Sequence, residues 1–472
     1  MFIFLQSLLK VLQISTFLII FSNSVFGQEK PLWNNLSAGY SHTVAIKSDS
    51  TMWGWGYSAN GQLAEGTSKS LFHSSPVQMG KNNRWTSVSA GVEHTIATAQ
   101  DSSLWGCGAS GWGQLGNYGN AKPPGGATNS KNLIQMDKSN WINIATGSAF
   151  TLAIKADSTL WGCGYNGSGA ISHKTKETAI GQLIQIGTDH NWAKIAARGR
   201  HCIALKSVGT LWTWGKYSNE DSAGTLTPMK INHSTSWVNI AAGNDHYIAL
   251  DSNGTLWAWG NNASGQIGNG TYSNVLKPTQ IGLDSNWSNI AAGNSFSYAV
   301  KSDGTLWSWG NNDYAQLGTG SIKQENAPVH SGIDENWKSV TCGGKFAIAL
   351  KHCKQMYCGS GVNEEGQLGN NSTFNNLTFN CSSIVTSIYE LSTIDKIDIY
   401  PNPACNIVAI KTTSAGTYSI MNVYGQVIQT FTIKDNFFNS ISVENLSSGL
   451  YTIVNAENKT VRQKIIINKD QH

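Results

Sequence analysis

Apolar and polar residues alternate along most of this chain with a period of two, in short runs bounded by Gly, Asn, Asp and Ser. No stretch sustains the 3.6-residue period of an amphipathic helix, so the pattern predicts short strands and tight turns. Tryptophan organises the runs. Trp33, Trp85, Trp141, Trp192, Trp237, Trp287 and Trp337 head successive segments at steps of 45 to 56 residues. A second aromatic follows each by 20 positions: Trp53, Trp105, Trp161, Trp212, Trp257, Trp307 and, in the last segment, Tyr357. All 18 Trp fall inside these seven units.

Other positions keep the same offsets. The sixth residue after the leading Trp is Gly in six units, with Arg198 there in the fourth and Gly199 next to it. The twelfth is Ala in all seven, from Ala45 to Ala349. A turn such as Ser-Asn-Gly-Thr (252–255) leads into Leu-Trp-x-Trp-Gly, and a looser loop of Gly-Gln-Leu-Gly character closes the unit. Each unit therefore predicts an antiparallel sheet of about four strands. One such sheet cannot bury both faces, whereas seven in a closed ring can. The expectation is an all-β, seven-bladed propeller, with the Ala on the innermost strand at a central channel and the Trp pairs between blades.

Composition agrees, with 49 Gly and only 13% charged residues. A net charge of +4 gives no reason to expect a nucleic-acid partner. Lys10 and the apolar run 11–21, ending at Val25-Phe26-Gly27, predict a cleaved export signal over 1–27. The run is too short for a transmembrane anchor. Export would place eight Cys where disulfides persist, and Cys353 with Cys358 is the pairing the sequence favours.

The Gly-x-x-His-x-x-Ala-Leu-like stretch (243–250), the Asp/Asn-Gly turn, Leu-Trp-x-Trp-Gly and Gly-Gln-Leu-Gly resemble the RCC1 (regulator of chromosome condensation) repeat over about 33–383. The resemblance implies the propeller, over residues 28–385, but not one activity. Nucleotide exchange would need an intracellular GTPase. Light sensing in that family uses an aromatic after the repeat Gly, where this chain has Tyr40, Val92, Ser148, Gly199, Asn244, Asn294 and Gly344, with no Trp.

From about residue 387 Trp disappears. Asp398-Ile-Tyr-Pro-Asn-Pro403, Ile420-Met-Asn-Val-Tyr-Gly-Gln-Val427, Leu446-Ser-Ser-Gly-Leu-Tyr451 and Arg462-Gln-Lys-Ile-Ile-Ile467 resemble the type A C-terminal sorting domain of the type IX secretion system of Bacteroidota. That likeness implies a small β-sandwich over 386–472, engagement of the type IX machinery after periplasmic transit, and a destination outside the cell or on its surface.

Candidate chemistry is sparse. His42, His94, His201 and His246 share the ninth position with Phe150, Phe296 and Phe346, which marks a packing site rather than a metal site. Asp49, Asp101, Asp157 and Asp303 fall in hairpin turns. No catalytic motif, metal cluster or cofactor loop is apparent. The variable positions beside the sixth residue are the better lead: Tyr40, Glu93, Arg198, Arg200, Asp245, Asn294 and Lys345 should share one face. The chain is thus expected to be a binding propeller for a protein or glycan, not an enzyme. A propeller lyase or hydrolase with a cross-blade site, and a structural surface adhesin, are the competing readings.

Overall fold

A computed structural model describes residues 33–66, 70–80, 84–117, 129–171, 177–216, 225–233, 235–332, 336–352, 356–382, 397–400, 407–412, 416–433, 439–456 and 462–467. The export signal and both expected domain junctions lie outside these residues. Seven four-stranded antiparallel sheets follow one another along the chain, over 33–79, 85–137, 141–185, 192–230, 237–280, 287–330 and 337–382. In the first blade the strands are β1 (Trp33–Ala38), β2 (His42–Lys47), β3 (Met52–Tyr57) and β4 (Phe72–Met79), paired in that order. Two further sheets, of three and four strands, share one core around Ile410, Tyr418, Ile453 and Ile465, forming the expected sandwich. No helix occurs among the described residues.

Trp33 is buried against the preceding blade, in a cluster with Phe346, Ile348 and Leu350. Its ring meets Trp53 edge to face at 6.5 Å, and the Lys47 ammonium sits 3.9 Å over Trp53 and 4.8 Å over Trp33. The same clamp recurs with Lys155 over Trp141 and Trp161, Lys206 over Trp192 and Trp212, and Lys301 over Trp287 and Trp307. Blade 5 has Asp251 at that position, and His233 packs on Trp237 and Trp257 instead. Burying one indole is worth roughly 4–6 kcal/mol of gross transfer free energy, before any entropic cost.

The retained Ala is not at the channel. Ala45 lies on the second strand, opposite Leu36 on one side and Trp53 on the other, and packs towards the preceding blade. It is small because the indoles fill that face. The first strands line the channel instead.

Blade 7 breaks the repeat twice. Ala349 pairs with Cys358, not Tyr357, so one extra residue in the hairpin puts Cys358 where other blades carry the second Trp. Tyr357 occupies the Leu position and supports ring closure, stacking on Trp55 at 4.8 Å and meeting Trp33 at 5.6 Å. Cys358 is bonded to Cys381, its direct partner on the fourth strand. This overturns the Cys353–Cys358 pairing, and Cys353 itself lies outside the described residues. Blades 1 and 7 each take all four strands from their own segment, so the ring closes by side-to-side packing rather than by a shared strand.

The hairpin between second and third strands ends in a capping chain. Asp49 accepts from the Thr51 amide and hydroxyl, and Thr51 Oγ1 accepts from Trp53 Nε1 at 2.8 Å. Asp101, Asp157 and Asp303 do the same through Ser103, Thr159 and Thr305. The hydroxyl and amide bonds hold those three carboxyls below the usual Asp range. The next residue has positive φ: Gly209, Gly254 and Gly304 in three blades, but Ser50, Ser102 and Ser158 at +64°, +60° and +61° in the first three. An L side chain is strained there. Each of Ser50→Gly, Ser102→Gly and Ser158→Gly should raise unfolding free energy by about 0.5–1 kcal/mol in urea titrations; a loss at all three sites would contradict this account of the turn.

Candidate functional site

The loops that carry the predicted residues are held by backbone bonds both within and between blades. In every blade the turn between strands one and two lies beside the loop after strand three, because antiparallel strands return to the same end. Backbone bonds join the two: Ala109 N donates to Glu93 O and Asn261 N to Asp245 O at 2.8 Å, and Val362 N to Lys345 O at 3.0 Å. Neighbouring turns are also joined. Tyr40 N donates to Gly91 O at 3.2 Å, Ser148 N to Gly199 O at 2.9 Å, Asn244 N to Gly293 O at 3.1 Å, and Gly344 N to Tyr40 O at 3.1 Å. Gly343 and its counterparts are Gly because a Cβ would enter the ring at the ninth position, His42, His94 and His246 or Phe150, Phe296 and Phe346.

All four His are buried, and three of them are polar connectors, while His201 packs edge to face on Tyr247 of the next blade at 4.6 Å. His42 Nε2 lies 3.0 Å from Thr95 Oγ1, His94 Nε2 3.3 Å from Thr151 Oγ1, and His246 Nε2 2.9 Å from Ser297 Oγ, each hydroxyl on the following blade. Those hydroxyls donate to Gln62 O, Gln114 O and Gln266 O. Having given away its one hydrogen, each must accept from the imidazole, which assigns the neutral Nε2–H tautomer. Phe150 and Phe296 instead pack in apolar clusters with Cys202 and Ala347 of the following blades. The same Gln carbonyls take the third aromatic: Trp309 Nε1 donates to Gln266 O and Trp55 Nε1 to Gln367 O, each at 2.9 Å. Cys107 and Cys163 stand in for that Trp and direct their thiols to Gln62 O and Gln114 O. Burial pushes both thiols up to about 12, so they are inert thiols rather than nucleophiles. Among the described residues no cluster of His, Cys, Asp and Glu could hold a metal.

Within the ring of turns opens the axial channel, a cavity of about 450 Å³. Apart from Arg198 its wall is uncharged among the described residues, with Ala90, Ala145, Ala242 and Ala292 beside the hydroxyls of Ser37, Ser89, Thr146 and Thr341. Tyr40, Arg198 and Asn294 come together at this channel. Arg198 reaches across from blade 4, donating Nη1 to Cys342 O at 2.7 Å and lying with Nε 3.4 Å from Asn294 Oδ1. Burial lowers its guanidinium to about 10, still charged at neutral pH. Blade 4 accommodates a side chain there because its first strand runs one residue further, to Arg198, and Gly199 makes the turn at φ +57°.

The other four predicted residues do not line the channel, although they lie in the same turns between first and second strands. Glu93 and Arg200 are exposed. Asp245 is half-buried, its carboxyl pushed up by burial, against which the 2.6 Å bond from Asn244 and the charge of Arg200 act. Lys345 lies 4.0 Å over the Tyr314 ring, and that contact holds its ammonium above the usual range. Sequence reasoning missed the aromatics on this face. Trp112 meets Tyr165 edge to face at 5.0 Å, and Arg200 lies over Tyr165 at 5.8 Å. Trp112 and Tyr314 both stand two residues before the loop Gln, where the other units have Asn60, Ser264 and Glu365. That variable position was the available signal.

Models of the regulator of chromosome condensation (RCC1) repeat match residues 49–98, 253–300 and 303–350, and, in a second form, 34–62, 237–266 and 287–316. A secretion system C-terminal sorting domain matches 398–468. The chain is an RCC1-repeat propeller with a sorting tail. It is 29% identical over 184 residues to the ultraviolet-B receptor UVR8 of Arabidopsis thaliana, covering 38% of this chain and 40% of that protein. The chain therefore spans well under half of that relative's length. Human WBSCR16 superposes with a TM-score of 0.62 at 21% identity, over 69% of this chain and 88% of that one. Yeast RCC1 (Prp20), solved with Kap60, also gives 0.62, at 20% identity over 70% and 83%. These two establish the fold alone. The RCC1-repeat chain carries a tail for type IX export to the cell surface or beyond, and no helix among its described residues is long and apolar enough to cross a membrane.

The buried His make the RCC1 ring sensitive to acid. His42, His201 and His246 are lowered from 6.5 to about 3, and His94 to about 4, chiefly by burial. The unfolded chain therefore binds protons first, and their contribution, complete above pH 6.5, is lost as pH falls towards 3–4. Urea titrations between pH 6 and 4 should show His246→Phe with a slope of stability on pH shallower by about one proton, roughly 1.4 kcal/mol per pH unit. An unchanged slope would refute the buried neutral state.

Proposed function

We propose that this RCC1-repeat propeller is an exported binding module, delivered outside the cell by its sorting tail after cleavage of residues 1–27, and that its partner docks on the turn-bearing end. The observation that carries this reading is the set of inter-blade backbone bonds, joining turns at four of the seven seams, under side chains of unlike chemistry. Glu93, Arg200, Asp245 and Lys345 stand in these turns away from the channel wall, and Tyr40, Arg198 and Asn294 at the channel. A stiff ring spends little conformational entropy when a partner binds, and dissimilar groups on it supply specificity. Binding is favoured over catalysis because the carboxylates of the hairpin turns are committed to capping, at the opposite end from this ring. The partner is a protein or glycan, with aromatic, cationic and amide groups available to either.

Photo-crosslinking from the two ends of the exported full-length chain tests this directly. A benzophenone side chain at position 93 or 200 should yield one discrete adduct on intact producing cells or their surroundings, and at position 49 or 303 none. Adducts confined to 49 or 303, or no adduct from any of the four, would count against the reading.

A further inference from the structure

Among the described residues Arg198 is the one charged residue in the wall of the axial channel. Six units place Gly at its position, and the strand of blade 4 is extended by a residue to present it. A guanidinium has five N–H donors. Cys342 O and Asn294 Oδ1 take two, which leaves three on a side chain that lines the cavity. No Asp or Glu lines that cavity, and the nearby Arg200 has Asp245 beside it whereas Arg198 has no such partner among the described residues. A partly buried cation without a counter-charge is costly, and an anion in the cavity would remove the cost.

We propose that the channel is a carboxylate site that takes the terminal uronate of an acidic glycan, with Arg198 holding the carboxylate. This rests on the turn-bearing end being the binding face. A single guanidinium matches one monoanion in a paired, planar contact, and among the described residues no second cation lines the cavity to balance a phosphate or a polysulfate. Around Arg198 the polar groups are neutral amides and hydroxyls, on Asn294, Asn244, Ser148, Thr341 and Tyr40. These suit the hydroxyls of a sugar ring. A peptide C-terminus would also seek main-chain partners, but turn amides such as Asn244 N and Gly344 N are already bonded between blades. The cavity, about 450 Å³, lies within the usual size of small-ligand sites.

Calorimetric titration of the full-length exported protein compares three probes: a hexuronate-terminated trisaccharide, the same trisaccharide ending in the neutral hexose, and a tripeptide with a free C-terminal carboxylate. The hexuronate should bind at least about tenfold more tightly than the other two. Arg198→Gln should erase that preference, Arg198→Lys should keep part of it, and Lys277→Gln, exposed on the outer strand Val275–Gln280, should leave it intact. Equal affinity for acid and neutral sugar, preference for the tripeptide, or no binding of any probe would overturn the proposal. Should Arg198→Gln fail to fold, the comparison of the two sugars on the unaltered chain decides alone. Turn-directed crosslinking without uronate preference removes this site and leaves the docking face standing, whereas loss of both removes both.

Discussion

Everything in the ring depends on how one blade grips the next. The leading Trp is buried against the preceding blade, and the main-chain carbonyl of the preceding loop Gln receives a hydroxyl and an indole N–H from the blade that follows, as with Thr43 and Trp55 on Gln367. Apolar burial supplies the affinity between blades. The shared carbonyl fixes their angle, because two donors at one acceptor leave little freedom. Where the indole is lost, at Cys107 and Cys163, a thiol still points to the same carbonyl. Where the second Trp is lost, at Cys358, a disulfide to the outer strand takes its place and Phe379 packs on Trp337 at 5.3 Å.

That grip has a functional consequence at only one end. The hairpins between second and third strands are filled by the Asp–Thr–Trp chains and by Lys clamped on indoles, so their polar groups are used up inside the fold. At the opposite end the backbone does the joining, from turn to turn and from turn to loop. Side chains there are released from structural duty and can differ from blade to blade. The four buried His illustrate the limit of that freedom: they are one residue past the variable pair and held neutral, three bonded to a hydroxyl of the next blade and His201 packed on Tyr247 there.

Much of this was legible from the chain. Offsets of 6, 12 and 20 residues from each Trp come from strands of fixed length joined by fixed turns, so a regular fold leaves a regular spacing. The exchange of His for Phe correctly marked a packing position, and the tail motifs correctly marked a sorting domain. Three things were not legible. The retained Ala was placed on the innermost strand because small residues suit a crowded axis, yet the crowding comes from indoles on the face of the second strand. Tyr357 keeps the 20-residue offset while the strand has slipped by one, which only pairing with Leu350 reveals. Likewise the reach of Arg198 to Cys342 spans 144 positions and three blades, a distance no local spacing encodes.

The central claim is that the variable turns stand on a ring stiffened by its own backbone. Hydrogen–deuterium exchange of the full-length protein measures this most directly, at the amides of Tyr40, Ser148, Asn244 and Gly344, each of which donates to a neighbouring turn. The account predicts protection of these four amides comparable to that of the second strands. Exchange at the rate of an open loop would mean that the blades are held only by their aromatic cores, and that the turn-bearing end is no rigid platform.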